Sequence, residues 1–261
     1  MDRKPIVINT DNFPESLRSF FKNTAVYDSS CSEDAKVYFI DNEDGYYLKT
    51  AATGTLEREY ELTDFFFKKG FAAEVCLYEK SDKDYLLTRR INGEDCTFNA
   101  YLSSPEKLCE TTAHILRALH ETSAEGCPVK NRTEEYLSAV YRNYSVKKYD
   151  TELFGDVWNF SSAEEAFAEV TKNGKYLRSD TLIHGDYCLP NIILDDWKFS
   201  GFVDLDSGGI GDRHTDIFWG IWTLWFNLKT NKYKDRFMDA YGRDKIEEEL
   251  LRTVAAAELF V

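Results

Sequence analysis

Apolar and polar positions change period near residue 91 of this chain. Before it, short apolar and β-branched runs flank polar turns. Residues 35–40 and 46–51 surround Asp41-Asn42-Glu43-Asp44-Gly45, and residues 73–79 and 85–91 surround Lys80-Ser81-Asp82-Lys83-Asp84. Such runs, punctuated by polar and glycine-bearing turns, predict antiparallel hairpins. With residues 24–28 they give about five strands.

One helical segment, residues 56–69, interrupts the strands and is stopped by Gly70. At about 100° per residue, Glu57, Glu61, Asp64 and Lys68 share a polar face, opposite an apolar arc of Leu56, Leu62, Thr63, Phe66 and Phe67. Glu59 falls in the middle of that arc. A carboxylate buried there unpaired is costly, so its position predicts a cationic partner, most simply a lysine.

From residue 92 helical spacing dominates. Pro105 fits a first helical turn, and Leu108, Ile115, Leu116 and Leu119 follow at helical intervals. Further helices are expected over 133–144 and 162–177, then a β-rich insert over 182–205. Three helical segments close the chain, the first (212–226) heavily aromatic. The fold class this predicts is α+β. A small antiparallel β lobe with one helix (1–91) precedes a larger, mainly helical lobe (92–261) that carries a β-hairpin insert.

The 261 residues suffice for a sizeable core, and a composition 43% apolar and 15% aromatic excludes a disordered chain. The formal net charge of −14 argues against nucleic-acid phosphate as a partner and admits a cationic ligand. Residues 217–226 are too few to span a bilayer, and Ile6-Val7-Ile8 is too short for a signal-peptide core. The six cysteines (31, 76, 96, 109, 127 and 188) contain no C-x-x-C pair. That is a reduced, cytoplasmic pattern in which each cysteine packs as a small hydrophobe.

The chemistry concentrates in Leu182-Ile183-His184-Gly185-Asp186-Tyr187-Cys188-Leu189-Pro190-Asn191-Ile192. It holds His-x-Asp-x-x-x-x-Asn, the spacing of a kinase catalytic loop, and Asp204 lies 13 residues beyond Asn191 at the end of an apolar strand. A carboxylate beside an attacking hydroxyl can orient it and accept its proton. An amide oxygen and a second carboxylate are hard ligands suited to Mg²⁺. In the small lobe Lys49 precedes Glu59 by ten residues, the strand-lysine and helix-glutamate pair that kinases place on nucleotide phosphates. No G-x-G-x-x-G occurs. The turn between residues 28 and 35 reads Ser29-Ser30-Cys31-Ser32-Glu33-Asp34, whose amides and hydroxyls can cradle phosphate. Helical sequence resumes by Asp212, leaving no room for a peptide-docking segment, so the acceptor is expected to be small.

These residues resemble the aminoglycoside O-phosphotransferases, and among them the 3′-phosphotransferases. The likeness is carried by His184–Asn191, by Ser200-Gly-Phe-Val-Asp204-Leu, by Gly211-Asp-Arg-His-Thr-Asp216-Ile and by the closing Glu258-Leu-Phe. In the small lobe it continues through Cys31-Ser-Glu-Asp-Ala, Tyr47-Leu-Lys49 and Leu56-Glu-Arg-Glu59. The resemblance implies a protein-kinase-like bilobal fold and transfer of the γ-phosphoryl of ATP (or GTP) to an aminoglycoside hydroxyl, with Mg²⁺. It implies Asp186 as catalytic aspartate, Asn191 and Asp204 as metal ligands, and Lys49 with Glu59 as the phosphate-binding pair. Ser32 falls in the phosphate turn. Arg89 and Ile91 fall in the segment whose backbone holds the base. Asp216 resembles a brace for the catalytic loop. A polycationic acceptor calls for carboxylates; the resemblance points to Glu152 and Asp156 in an insert and to Glu258. Val261, beyond Phe260, would displace a terminal carboxylate used in binding.

The chain departs from the family pattern after Asp204, where Leu205-Asp206-Ser207 replaces a segment containing arginine. It departs again at Trp222, where a further arginine is expected. These changes predict a more negative surrounding for Asp186, and Gly208-Gly209-Ile210-Gly211 reads as a mobile turn. Two other readings remain open: a kinase of the same fold for an amino alcohol or macrolide, and a nucleotide-binding protein without phosphotransfer. His184 reads as a loop brace, and the run Phe218-Trp219-Trp222-Trp225-Phe226 as core or subunit contact.

Overall fold

The computed structural model describes residues 3–31, 35–42, 45–149, 158 and 160–261. The chain divides into two compact units, Met1–Gly93 with Ser200–Asp206, and Glu94–Phe199 with Ser207–Val261.

The first unit is a six-stranded antiparallel sheet. Its strands are β1 (Lys4–Ile6), β2 (Ala25–Asp28), β3 (Lys36–Asp41), β4 (Tyr46–Ala51), β5 (Val75–Lys80) and β6 (Asp84–Arg89), in the order β1-β2-β3-β4-β6-β5. One sheet face, with Val26, Ile40, Leu48, Tyr85 and Leu87, packs on Phe13, Leu17 and Phe21 from the segment before β2, which includes the short helix α1 (Glu15–Arg18). Strand periodicity then sends Lys49 to the face opposite its neighbour Leu48. Across the sheet Lys49 pairs with Val37 and Leu86.

Helix α2 (Glu57–Lys68) buries Glu59, Leu62, Thr63, Phe65 and Phe66. The apolar arc is thus rotated from its sequence expectation: Phe65 is buried, whereas Phe67 is 42% exposed. Phe67 stands at the far edge of the expected arc, and packing turns the helix the other way. The returning segment Ser200–Asp206 attaches to this unit by the backbone bond from Phe202 N to Phe71 O (2.7 Å) and by the stacked Phe71 and Phe202 rings.

The second unit contains β7 (Glu94–Asp95), α3 (Asn99–Leu102), α4 (Pro105–His120), α5 (Arg132–Ser145), α6 (Ala163–Asn173), β8 (Thr181–Ile183) and β9 (Ile192–Asp195). Strand β10 (Lys198–Phe202) leads back to the first unit. After it come β11 (Gly209–Gly211), α7 (Arg213–Leu228), α8 (Lys234–Tyr241) and α9 (Glu248–Ala257). Asp196 and Trp197, both with positive φ (45° and 67°), join β9 to β10, as a two-residue hairpin turn of matching twist requires. Strand β11 pairs antiparallel with β8 (Gly209↔Ile183, Gly211↔Thr181). This corrects the expectation of a mobile glycine turn. Added Cβ atoms would lie 2.8 Å from Val129 Cγ1 at Gly209 and 2.4 Å from Ile183 Cδ1 at Gly211, so these glycines serve close packing. Among the described residues, no helix is long and apolar enough to cross a membrane.

Candidate active site

In the first unit the lysine called for by Glu59 is Lys49. Its ammonium sits 2.9 and 2.8 Å from the two Glu59 carboxylate oxygens and 3.1 Å from Asp204 Oδ1. Glu59 is buried, while the Asp204 side chain is half exposed. Burial alone would lower the Lys49 pKa, but Glu59 and Asp204 outweigh it and hold the ammonium above its ordinary value. Burial raises Glu59 above the usual carboxylate range, with Lys49 offsetting part of that rise. Asp204 itself adopts a left-handed backbone (φ 55°), a conformation that costs a non-glycine residue of the order of 1–3 kcal/mol and that clusters at functional sites. Buried Leu205 follows directly and anchors it.

Arg89 ends β6. Its amide donates to Glu74 O (2.9 Å) and its Nε to Glu74 Oε2 (2.9 Å). Ile91 packs where a Cβ on Gly201 would come within 2.7 Å of its Cδ1. Ser32 lies outside the described residues, as do Glu152 and Asp156. The β2 side of the serine turn is fixed by Ser30, whose N–H donates to Asp28 Oδ1 and whose Oγ accepts from Val37 N.

In the second unit the catalytic-loop spacing closes into a hydrogen-bonded turn. Asn191 Nδ2 donates to Asp186 O (3.0 Å) and to Asp186 Oδ2 (2.8 Å). That use of the amide nitrogen leaves the amide oxygen as the end suited to a cation. Fully buried Asp216, in the first turn of α7, accepts the amides of His184 and Gly185 (2.7 Å each) and Nε2 of His120 (3.1 Å). Burial lowers the His120 pKa, so the neutral imidazole donates this bond. His184 is likewise buried, and its Nδ1 accepts from Asp186 N (3.3 Å). Asp216 and His184 therefore do what a brace must do. Among the described residues, no three or more His, Cys, Asp or Glu are grouped to hold a metal ion.

Gly185 has φ +85°, and an added Cβ would sit 1.9 Å from Ser207 O. Backbone conformation and backbone contact both exclude a side chain there. Gly185→Ala is expected to destabilise the protein by about 2–5 kcal/mol, summing left-handed strain and overpacking, which a denaturant melt measures. A parental midpoint in that variant would contradict this reading of the turn.

Asp186 opens onto a cavity of about 280 Å³ lined also by Arg132, Tyr136, Ser207, Trp219 and Glu258. Tyr136 donates to Glu258 Oε1 (2.9 Å). Although Glu258 as a residue is only half-buried, burial of its carboxyl raises its pKa to about 8. Tyr136 and Arg132 act against that rise and Asp186 reinforces it. Of the three carboxylates expected to meet a cationic acceptor, the structure brings Glu258 together with Asp186.

One feature corrects the sequence expectations and another adds to them. Trp219, read from the sequence as core or subunit contact, lines this cavity, while its neighbour Phe218 is buried. The cavity at Asp186 also holds a cation, Arg132 on α5, which donates from Nε to Ser207 O (2.8 Å). Neither Arg132 nor Tyr136 stands out in the sequence. They stand more than 45 residues before Asp186 in a helix whose spacing carries no chemical signal.

A family model described as the phosphotransferase enzyme family matches residues 29–253. A probable aminoglycoside 3′-phosphotransferase of Lactococcus lactis is 47% identical over 258 residues, covering 98% of both chains. The crystal structure of an aminoglycoside 3′-phosphotransferase of type VIII superposes with a TM-score of 0.76 at 21% identity, covering 97% of this chain and 99% of that one. An aminoglycoside phosphotransferase from Streptomyces rimosus, solved with ADP and streptomycin, gives 0.70 at 20% identity over 86% of this chain and 90% of that one. At these identities the two structures speak to the fold.

Proposed function

This chain belongs to the phosphotransferase enzyme family, and from that premise we propose that it transfers the γ-phosphoryl of ATP to a hydroxyl of an aminoglycoside, the 3′-hydroxyl. The observation that carries this reading is the turn in which Asn191 fixes Asp186 at the wall of a cavity that also holds Glu258.

Asp186 orients the acceptor hydroxyl and takes its proton. Phosphoryl transfer of this kind passes through a loose transition state, so positioning and charge neutralisation supply most of the acceleration. Lys49, fixed by Glu59, holds the triphosphate oxygens. Arg89 and Ile91 offer backbone to the base, and Ser32 a hydroxyl to phosphate. The hard oxygens of Asn191 and Asp204 suit Mg²⁺, which when bound neutralises charge on the phosphates. Glu258 meets an acceptor ammonium. Glu152 and Asp156 are further carboxylates for the same purpose. The cysteine pattern, without a C-x-x-C pair, favours a cytoplasmic setting.

Acceptors with and without the 3′-hydroxyl test the position of transfer. Kanamycin is expected to gain one phosphate, and a 3′-deoxy acceptor none at matched concentration. Equal phosphorylation of both, read by product mass, would place the transfer at another hydroxyl.

A further inference from the structure

The cavity at Asp186 contains a basic group that a site for a cationic acceptor does not obviously need. Among the described residues lining it, Arg132 is the one base, against the two carboxylates Asp186 and Glu258. A guanidinium here repels acceptor ammoniums, so its presence asks for a compensating use. The hydrogen bonding supplies one. Arg132 Nε donates to Ser207 O at 2.8 Å, and that carbonyl oxygen lies against the bare Cα of Gly185. Ser207 follows Asp206 at the point where the chain re-enters the second unit, and Gly185 precedes Asp186. The arginine side chain is only 19% exposed, with its outer nitrogen 3.5 Å from Glu135, so the guanidinium is held from two sides.

We propose that Arg132 is a positioning residue for phosphoryl transfer: by pinning the Ser207 carbonyl onto the Gly185 backbone, it sets the turn that presents Asp186 to the acceptor hydroxyl. The inference rests on the phosphotransferase reading of Asp186 and goes beyond it, since Arg132 touches neither the reacting oxygen nor the phosphates in this scheme. A planar guanidinium suits the task because its donors are fixed relative to one another. A lysine offers the charge without that geometry.

The same side chain acts on Glu258. The groups facing that carboxyl are Tyr136 and Arg132 from α5, Trp219 from α7 and Asp186 from the loop after β8. Arg132 opposes the rise caused by burial, so its removal carries the Glu258 pKa further above about 8. Ionised Glu258 attracts an acceptor ammonium. In the parent enzyme, therefore, the acceptor KM is expected to fall as pH rises through about 8, and without Arg132 that fall should move to higher pH.

The test compares parent, Arg132→Gln and Arg132→Lys as full-length enzymes with Mg·ATP and kanamycin. For Arg132→Gln, kcat is expected to drop at least about tenfold, as loss of alignment at a reacting centre does, while KM for ATP and the melting temperature stay near parental. The pH at which acceptor KM falls should move upward. Arg132→Lys should restore that pH limb but not kcat. A kcat within twofold of parent for Arg132→Gln would overturn the proposal. So would a loss of kcat matched by a loss of melting temperature and fully rescued by lysine, which marks a structural cation.

If the parent enzyme phosphorylates no aminoglycoside, the proposed function fails, and the pinning is then read without an acceptor. Amide hydrogen exchange of the 183–188 segment should quicken in both variants relative to the parent. Unchanged exchange would overturn the pinning itself.

Discussion

Asp186→Asn is expected to reduce turnover about a thousandfold, the middle to upper range for loss of a general base that also orients the nucleophile. Nucleotide affinity should survive, because the triphosphate ligands proposed here are Lys49 and the metal-binding oxygens. The substitution is close to isosteric, and the bond from Asn191 Nδ2 to Asp186 O can persist. The second bond, from Asn191 Nδ2 to Asp186 Oδ2, can be kept by the amide oxygen of the variant. Fold and turn should therefore remain, and only the proton acceptor is lost. Single-turnover phosphorylation with a parallel nucleotide titration separates the two. Parental turnover in Asp186→Asn would remove Asp186 from the chemistry, and lost nucleotide binding would show a wider structural role.

Lys49→Met is expected to produce the other large effect, on both stability and nucleotide binding. It removes the ammonium that both Glu59 oxygens contact and leaves that buried carboxylate without it, a change that typically costs about 3–5 kcal/mol. The pH dependence has a definite sign. Burial already raises the Glu59 pKa above its unfolded value, and loss of Lys49 raises it further. The folded state then binds a proton that the unfolded state releases, so the variant should be more stable at mildly acidic pH and lose stability as pH rises. Denaturant midpoints across pH measure this. Lys49→Met combined with Glu59→Gln should recover much of the stability, because the uncompensated charge is gone, yet should not recover nucleotide affinity. A Lys49→Met midpoint that does not change with pH would show that Glu59 has another partner.

The sequence made some of these features legible because physics left few alternatives. A glutamate on an apolar helical arc needs a cation, and Lys49 on the neighbouring strand was the candidate ten residues away. His184, Asp186 and Asn191 were legible from spacing alone, since one turn must bring the amide to the carboxylate. Glu258, in contrast, was legible only through its resemblance to a terminal motif; its partner Tyr136 lies 122 residues earlier.

Other features depend on tertiary packing. Strand β1 is three residues long and contains Pro5, which a sheet tolerates at its edge, so neither alternation nor propensity announced it. The glycines at 209 and 211 read as a loose turn, because sequence does not reveal that Val129 and Ile183 crowd them. Trp219 belonged to an aromatic run on a helix, and which member of such a run faces a cavity is decided by the helix's rotation against its neighbours.

The most direct measurement is product mass after incubation with Mg·ATP and kanamycin, with Asp186→Asn alongside. The structure and the family together predict one added phosphate for the parent and essentially none for the variant at equal enzyme. Tight ATP binding with no added phosphate on kanamycin or neomycin would contradict the proposed activity.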